Sequence, residues 1–185
     1  MRTRSYPRSG LTLVEAAVLV CLLGVLLSVG VPAFVRGLRT SKTAEAPEEL
    51  ERMFAAVAAY YDTPQPTPSG QRLRCLPDPA GPTPRRPSPD PVEARFSAPE
   101  APGSATWRAL GYAPARAIRY SYSLLPAYPG CGLPPAQARN AVVLTLRAEG
   151  DLDGDGVFSR FERNAVVRDG QLVLEPVLSV HERVE

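Results

Sequence analysis

From Leu11 to Val35 the chain reads LTLVEAAVLVCLLGVLLSVGVPAFV, with Glu15 as its one charged side chain. At 1.5 Å of rise per helical residue the run is about 37 Å long, enough to cross a hydrocarbon core of about 30 Å. It is too long for the apolar region of a secretory signal peptide, and no small-x-small cleavage site follows it. A plain signal anchor is the minimum reading. Ahead of the run, Arg2, Arg4 and Arg8 stand among ten residues that contain no acid. That charge bias holds a segment on the cytoplasmic side. Setting those three arginines aside turns the formal net charge of the chain from +2 to −1. No nucleic-acid footprint is expected, because one needs lysine and arginine clustered on a face.

Two residues make the run more than an anchor. A carboxylate near one end of a bilayer helix is costly unless it snorkels to the headgroups or finds a partner, so Glu15 carries a functional expectation. Gly10 stands directly before the run, five residues ahead of that glutamate. The stretch from Gly10 to Phe34 resembles the N-terminal signature of type IV pilins and type II secretion pseudopilins. In that family a prepilin peptidase cuts after the glycine, the new N-terminal residue is N-methylated, and the fifth mature residue is a glutamate. The resemblance places these features on Gly10, Leu11 and Glu15. Gly24 in mid-helix and Pro32, where the family helix kinks, extend the match, while Leu11 replaces the usual phenylalanine.

The resemblance implies an α+β, pilin-like fold: a long N-terminal helix, partly transmembrane, packed on a small antiparallel β-sheet. It implies that Glu15 neutralises the terminal amine of a neighbouring subunit, an attraction that a low-dielectric helix bundle strengthens. The implied partners are other pilin subunits, the prepilin peptidase and the inner-membrane assembly machinery. The implied location is the inner membrane, crossed once, before assembly, and a periplasmic or extracellular filament afterwards. Gly24 and Gly30, with Ser28, would let helices approach closely. Pro32 removes one helical hydrogen bond and invites a local break, or marks the membrane exit.

The resemblance implies a leader over 1–10 and a transmembrane and filament-core helix over 11–35, and periodicity gives an amphipathic continuation over 36–61. In the continuation Leu50, Met53, Phe54, Val57, Tyr60 and Tyr61 form an apolar stripe, with Glu45, Glu48, Glu49, Glu51 and Arg52 mainly elsewhere. Pro47 either bends this helix or sits in the first turn of a new one. Twelve of the 21 prolines fall between Asp62 and Pro102. Proline at that density excludes helix and central strand, so 62–103 is expected as an extended surface loop of polyproline character. The globular domain is then built mainly over 104–185. Ile118, Tyr120, Tyr122 and Leu124 alternate with Arg119, Ser121 and Ser123 as a half-buried strand. Ala141–Arg147 gives a second strand with Val142, Leu144 and Leu146 on one face. Asp169-Gly170 turns a hairpin between Ala165–Val167 and Leu172–Leu174. An antiparallel sheet of three or four strands fits this order.

Cys21 lies in the apolar run as a small hydrophobe. Cys75 and Cys131 lie in the polar remainder, and an exported domain would pair them in an oxidising compartment. One constellation carries chemistry. Asp151-Leu-Asp153-Gly-Asp155-Gly156, continued by Val157, Ser159 and Glu162, fits the twelve-residue calcium pattern D-x-D-x-D-G-x5-E over 151–162. Alternate carboxylates converge on a hard cation, the Val157 carbonyl adds a ligand, Ser159 acts through water, and Glu162 closes the site. A structural calcium is the expected cofactor, on a β scaffold rather than between helices.

The functional expectation is a structural subunit of a type IV pilus-like filament. The proline-rich insertion leans towards a minor rather than a major pilin. A type II secretion pseudopilin and a filament-tip adhesin or ligand-binding subunit are the alternatives. An enzyme is not expected, since the single histidine, His181, has no nucleophile elbow, phosphate loop or zinc spacing around it.

Overall fold

The computed structural model describes residues 12–133 and 141–181, with the backbone alone over 32–42. Gly10 and Leu11, and the side chain of Pro32, lie outside the described residues. The class is α+β, in two units, Met1–Ser41 and Lys42–Glu185.

Helix α1 spans Leu13–Thr43. Its assignment runs through position 32 without the expected break, because one deleted hydrogen bond does not by itself end a helix. Helix α2 spans Glu45–Asp62, so Pro47 falls in the first turn of a new helix, where its missing N–H does no harm. Ala46, Leu50, Met53, Val57 and Tyr61 recur at three- and four-residue steps and are buried.

Two acids share that buried face, against the expected segregation of charge. Glu45 Oε1 accepts the backbone N–H groups of Arg119 and Tyr120 at 2.7 and 3.3 Å and the Tyr122 hydroxyl at 3.4 Å. Its Oε2 lies 3.5 Å from Arg119 Nη1. Glu49, fully buried, accepts the Tyr112 hydroxyl at 3.1 Å and pairs with Arg52 Nη1 at 2.9 Å. These donors compensate carboxylates that an apolar stripe alone would expel. A hydrophobicity pattern sees only the cost of burying a charge, not the partners supplied from far along the chain.

The main sheet has five antiparallel strands in the order β4-β5-β7-β8-β9. These are β4 Ala80–Thr83, β5 Ser121–Pro126, β7 Val142–Gly150, β8 Ser159–Arg168 and β9 Gln171–His181. Short pairs β1 Gln65–Pro66 with β2 Arg72–Leu73, and β3 Cys75–Leu76 with β6 Gly130–Cys131, complete the strands. Tyr120, Tyr122, Leu124, Leu144, Leu146, Ala148, Ala165 and Val167 are buried in the core with the α2 stripe. The opposite side of β7 and β8 carries direct cross-strand polar pairs. Arg147 Nε donates to Glu162 at 2.7 Å, Arg160 Nε to Glu149 at 3.0 Å, and Thr145 Oγ1 to Asn164 at 2.8 Å. Each such pair contributes roughly 0.2–1 kcal/mol.

The β5 alternation is right, but the strand is not half-buried. Ser121 and Ser123 are buried too, and β4 pairs along the outer edge of the strand. A Cβ at Gly81 would strike the Tyr122 carbonyl oxygen and the Ser123 Cα, and Gly81 has φ of +92°, so only glycine fits there. In β7 a register shift between Val142 and Leu144 buries Val143 with Leu144 and leaves Val142 exposed. The bulge breaks the simple alternation. The Asp169-Gly170 turn is present, with φ of 51° and 75° at its two residues, the left-handed pair that matches strand twist. Along β8 and β9, Asn164 alone stands opposite Glu175, Pro176 and Val177, a bulge in the outer strand.

The proline-rich stretch is mostly exposed, but it is not without regular structure. It supplies β1 to β4 and the buried residues Leu76, Ala80, Thr83 and Phe96. Proline excludes a strand from the sheet interior, and β4 with Pro82 is an edge strand, where a missing N–H leaves no gap in the ladder. Phe96 packs edge-on to Trp107 and Tyr112, at centroid distances of 5.0 and 5.4 Å. Trp107 sits on helix α3, Ser104–Leu110. Cys75 and Cys131 stand opposite each other in the β3–β6 pair and are joined by a disulfide across 56 residues. Beside it Arg74 hydrogen-bonds the Gly170 carbonyl and lies over the Tyr61 ring, 5.8 Å from its centroid.

Replacing both Cys75 and Cys131 by serine is expected to lower unfolding stability by about 2–4 kcal/mol, read from urea midpoints. A second prediction concerns alkaline pH. Burial, then the charge of Glu49, pushes the Tyr112 phenol well above its ordinary range, and burial, then Glu45, does the same to Tyr122. Their folded values exceed the unfolded value of about 10, so the stability they carry is present below about pH 10 and is lost as pH rises further. Urea midpoints are expected to fall above about pH 10, and to fall less steeply when both tyrosines are phenylalanine. Equal slopes in the two proteins would remove these phenols as the cause.

Candidate functional site

The sequence nominates two sites, one at the start of α1 and one between β7 and β8. At the first, Thr12 precedes the helix and Glu15 stands in its opening turn. Glu15 Oε2 accepts the Thr12 backbone N–H and the Thr12 hydroxyl, both at 2.8 Å, and the Glu15 N–H reaches Thr12 Oγ1 at 3.3 Å. This reciprocal pair is a capping box, which satisfies donors that a helix start leaves orphaned. The T-x-x-E spacing signals it in the sequence, and reading Glu15 only for an external partner overlooks it. Among the described residues Oε1 makes no hydrogen bond.

Beyond the cap, Leu13–Val31 is long and apolar enough to cross a membrane, by length and composition. Its side chains are exposed, with Val14, Val20, Leu26 and Val29 among the most open. A Cβ at Gly24 or Gly30 would meet nothing within 4 Å, so among the described residues nothing requires glycine at either position. Ser28 satisfies its hydroxyl on the Val25 carbonyl at 2.8 Å, the back-bond that lets a serine sit in an apolar helix.

At the second site the β7–β8 hairpin closes on Gly150 paired with Ser159, and the acidic residues form its loop. One carboxylate oxygen from each of Asp151, Asp153 and Asp155 lies within 4.8 Å of the others. The loop is held by its own amides: Asp155 N–H to Asp153 at 3.2 Å, Gly156 N–H to Asp151 at 3.4 Å and Val157 N–H to Asp155 at 2.7 Å. Gly154 and Gly156, at φ of 77° and 86°, turn the chain. Val157 and Phe158 follow, exposed.

The other expected ligands are placed differently. Ser159 is buried as the first residue of β8. Glu162 lies within β8, its carboxylate on Arg147, and does not join the aspartate cluster. The first half of the twelve-residue pattern thus forms a carboxylate cluster and the second half is strand. A helix after the loop would curl the twelfth residue back toward the first; a strand carries it away along the sheet. The three aspartates and the Val157 carbonyl suit a hard cation in donor type, while Glu162 is committed elsewhere.

Among the described residues, His181 is exposed at the end of β9, opposite Arg160. Comparison with known proteins returned no matching family model, no matching curated protein and no matching solved structure.

Proposed function

We propose that this chain is a subunit of a type IV pilus-like filament, a minor rather than a major pilin, anchored by its first helix and processed after Gly10. The observation that carries the reading is the start of α1. An apolar helix of membrane-crossing length opens on Glu15, in the spacing from Gly10 that the resemblance requires. Two further features support it. The Cys75–Cys131 disulfide suits a domain held outside the reducing cytoplasm. The order of apolar helix, amphipathic helix and antiparallel sheet is the one the family implies.

On this reading the chain sits in the inner membrane before assembly and outside it afterwards, and its partners are other pilin subunits, the prepilin peptidase and the assembly machinery. Glu15 then has two tasks. Oε2 holds the helix cap through Thr12, and Oε1 remains for the amine of a neighbouring subunit. The exposed Gly24 and Gly30 serve close approach between helices rather than packing within one chain. The aspartate loop, on the same reading, takes a structural calcium outside the cell through Asp151, Asp153, Asp155 and the Val157 carbonyl.

The deciding measurement is the N-terminal sequence and mass of the protein purified from its host membrane and from sheared filaments. Leu11 with one added methyl group is expected. Gly10→Val is expected to leave an uncut precursor in the membrane, and Glu15→Ala a cut subunit absent from filaments. Gly10 variants that are still cut and assembled would refute the reading. For the loop, calcium is expected to raise the melting temperature of the purified chain. Asp153→Asn with Asp155→Asn abolishes that shift, while Glu162→Gln retains it. An unchanged melting temperature on calcium addition sinks the metal but leaves the filament reading standing.

A further inference from the structure

The proline-rich arm holds charges that the rest of the domain would pair. Among the described residues, every arginine side chain outside 85–95 makes an ion pair or a hydrogen bond. Arg85, Arg86 and Arg95 make neither with any described residue. Arg85 and Arg95 line one groove of about 490 Å³ together with Glu93 and Glu100, and none of these four charges is paired with another. Thr83 also lines it; the residue is 3% exposed and its hydroxyl has no hydrogen-bond partner among the described residues. Glu93, Ala94 and Arg95 line a second groove as well, of about 230 Å³, whose other wall is 114–117. The segment 93–95 is therefore shared by two open grooves.

Its backbone is open too. Val92 is tied into the fold by a two-way bridge with Ile118, at 2.8 and 2.9 Å. Directly after it the pairing stops. Among the described residues, the N–H and C=O groups of Glu93 and Ala94 and the N–H of Arg95 have no hydrogen-bond partner in the chain. Backbone groups alternate edges along an extended segment, so those of Glu93 and the N–H of Arg95 face away from Ile118 and can template an added strand, while those of Ala94 face the Ile118 side. Side chains of alternate sign along it, Glu93 and Arg95, would read the charges of that strand.

We propose that Glu93–Arg95 is a docking edge for an extended peptide segment of mixed charge. Acidic side chains of the peptide meet Arg85 and Arg95, and basic ones meet Glu93 and Glu100. The backbone of the peptide pairs with the open groups of Glu93 and the N–H of Arg95. The charges are exposed, so binding is weak, reversible and sensitive to salt. The proposal goes beyond the filament reading and stands without it, because it uses no residue of α1.

The test is fluorescence anisotropy with a labelled synthetic peptide of about ten residues, a repeat of Thr-Glu-Thr-Lys, titrated with the full chain in detergent micelles. Saturable binding is expected, weakened about tenfold both by Arg85→Glu with Arg95→Glu and by Glu93→Pro, which deletes one open N–H, the latter measured against Glu93→Ala as the side-chain control. Near-ultraviolet circular dichroism verifies that both variants keep the native aromatic packing. Absence of saturable binding overturns the proposal, as does equal binding by the parent and both variants. If only the charge reversal weakens binding, side chains alone hold the ligand. The docking edge is then overturned.

Discussion

The Lys42–Glu185 unit depends on two carboxylates that it buries. Glu45 and Glu49 lie on the inward face of α2, one turn apart; Glu45 is held by donors from 119–122, and Glu49 by Tyr112 and by Arg52 of its own helix. Removing the partners of a buried charge costs about 3–5 kcal/mol, so the arrangement is close to all-or-none. It fixes the start of α2 against the chain that enters β5, since the N–H groups of Arg119 and Tyr120 both point at Glu45. From that anchor the Tyr120 and Tyr122 rings are set in the core, and β5 begins at the next residue. The apolar stripe of α2 would pack on a sheet in several rotations about its axis. The two acids leave one.

Legibility followed locality. The apolar helix, the α2 stripe, the Asp169-Gly170 hairpin and the β5 and β7 strands all rest on patterns within about ten residues, which short-range physics determines. The Cys75–Cys131 bond was legible for another reason: only two cysteines lie outside the apolar run. What failed was non-local. Proline density described the solubility of 62–103 but not that β5 would need an edge partner, or that Trp107 and Tyr112 would need Phe96. Glu45 and Glu49 read as surface acids because, Arg52 apart, their donors lie far along the chain.

The acidic loop divides in the same manner. Asp151, Asp153 and Asp155 were legible as a cluster because their spacing alone brings them together. Glu162 was not, because its fate depends on whether a helix or a strand follows, and on Arg147 across the ladder. At α1 the reverse holds. The Thr12–Glu15 box is fully local and was overlooked in favour of a partner outside the chain.

The outer strand of the sheet carries a protection whose value grows with copy number. An uninterrupted edge from Gln171 to His181 would offer its free amides and carbonyls to the same edge of a neighbouring molecule. The three-residue bulge at Glu175–Val177, with a proline at its centre, splits that edge into two short stretches out of phase with each other. At the opposite border β4 is only four residues long and carries its own proline. A protein packed side by side with many identical copies meets its own edges at very high local concentration, where self-templated β-aggregation is the main hazard. Both borders are shaped so that crowding does not become fibre formation.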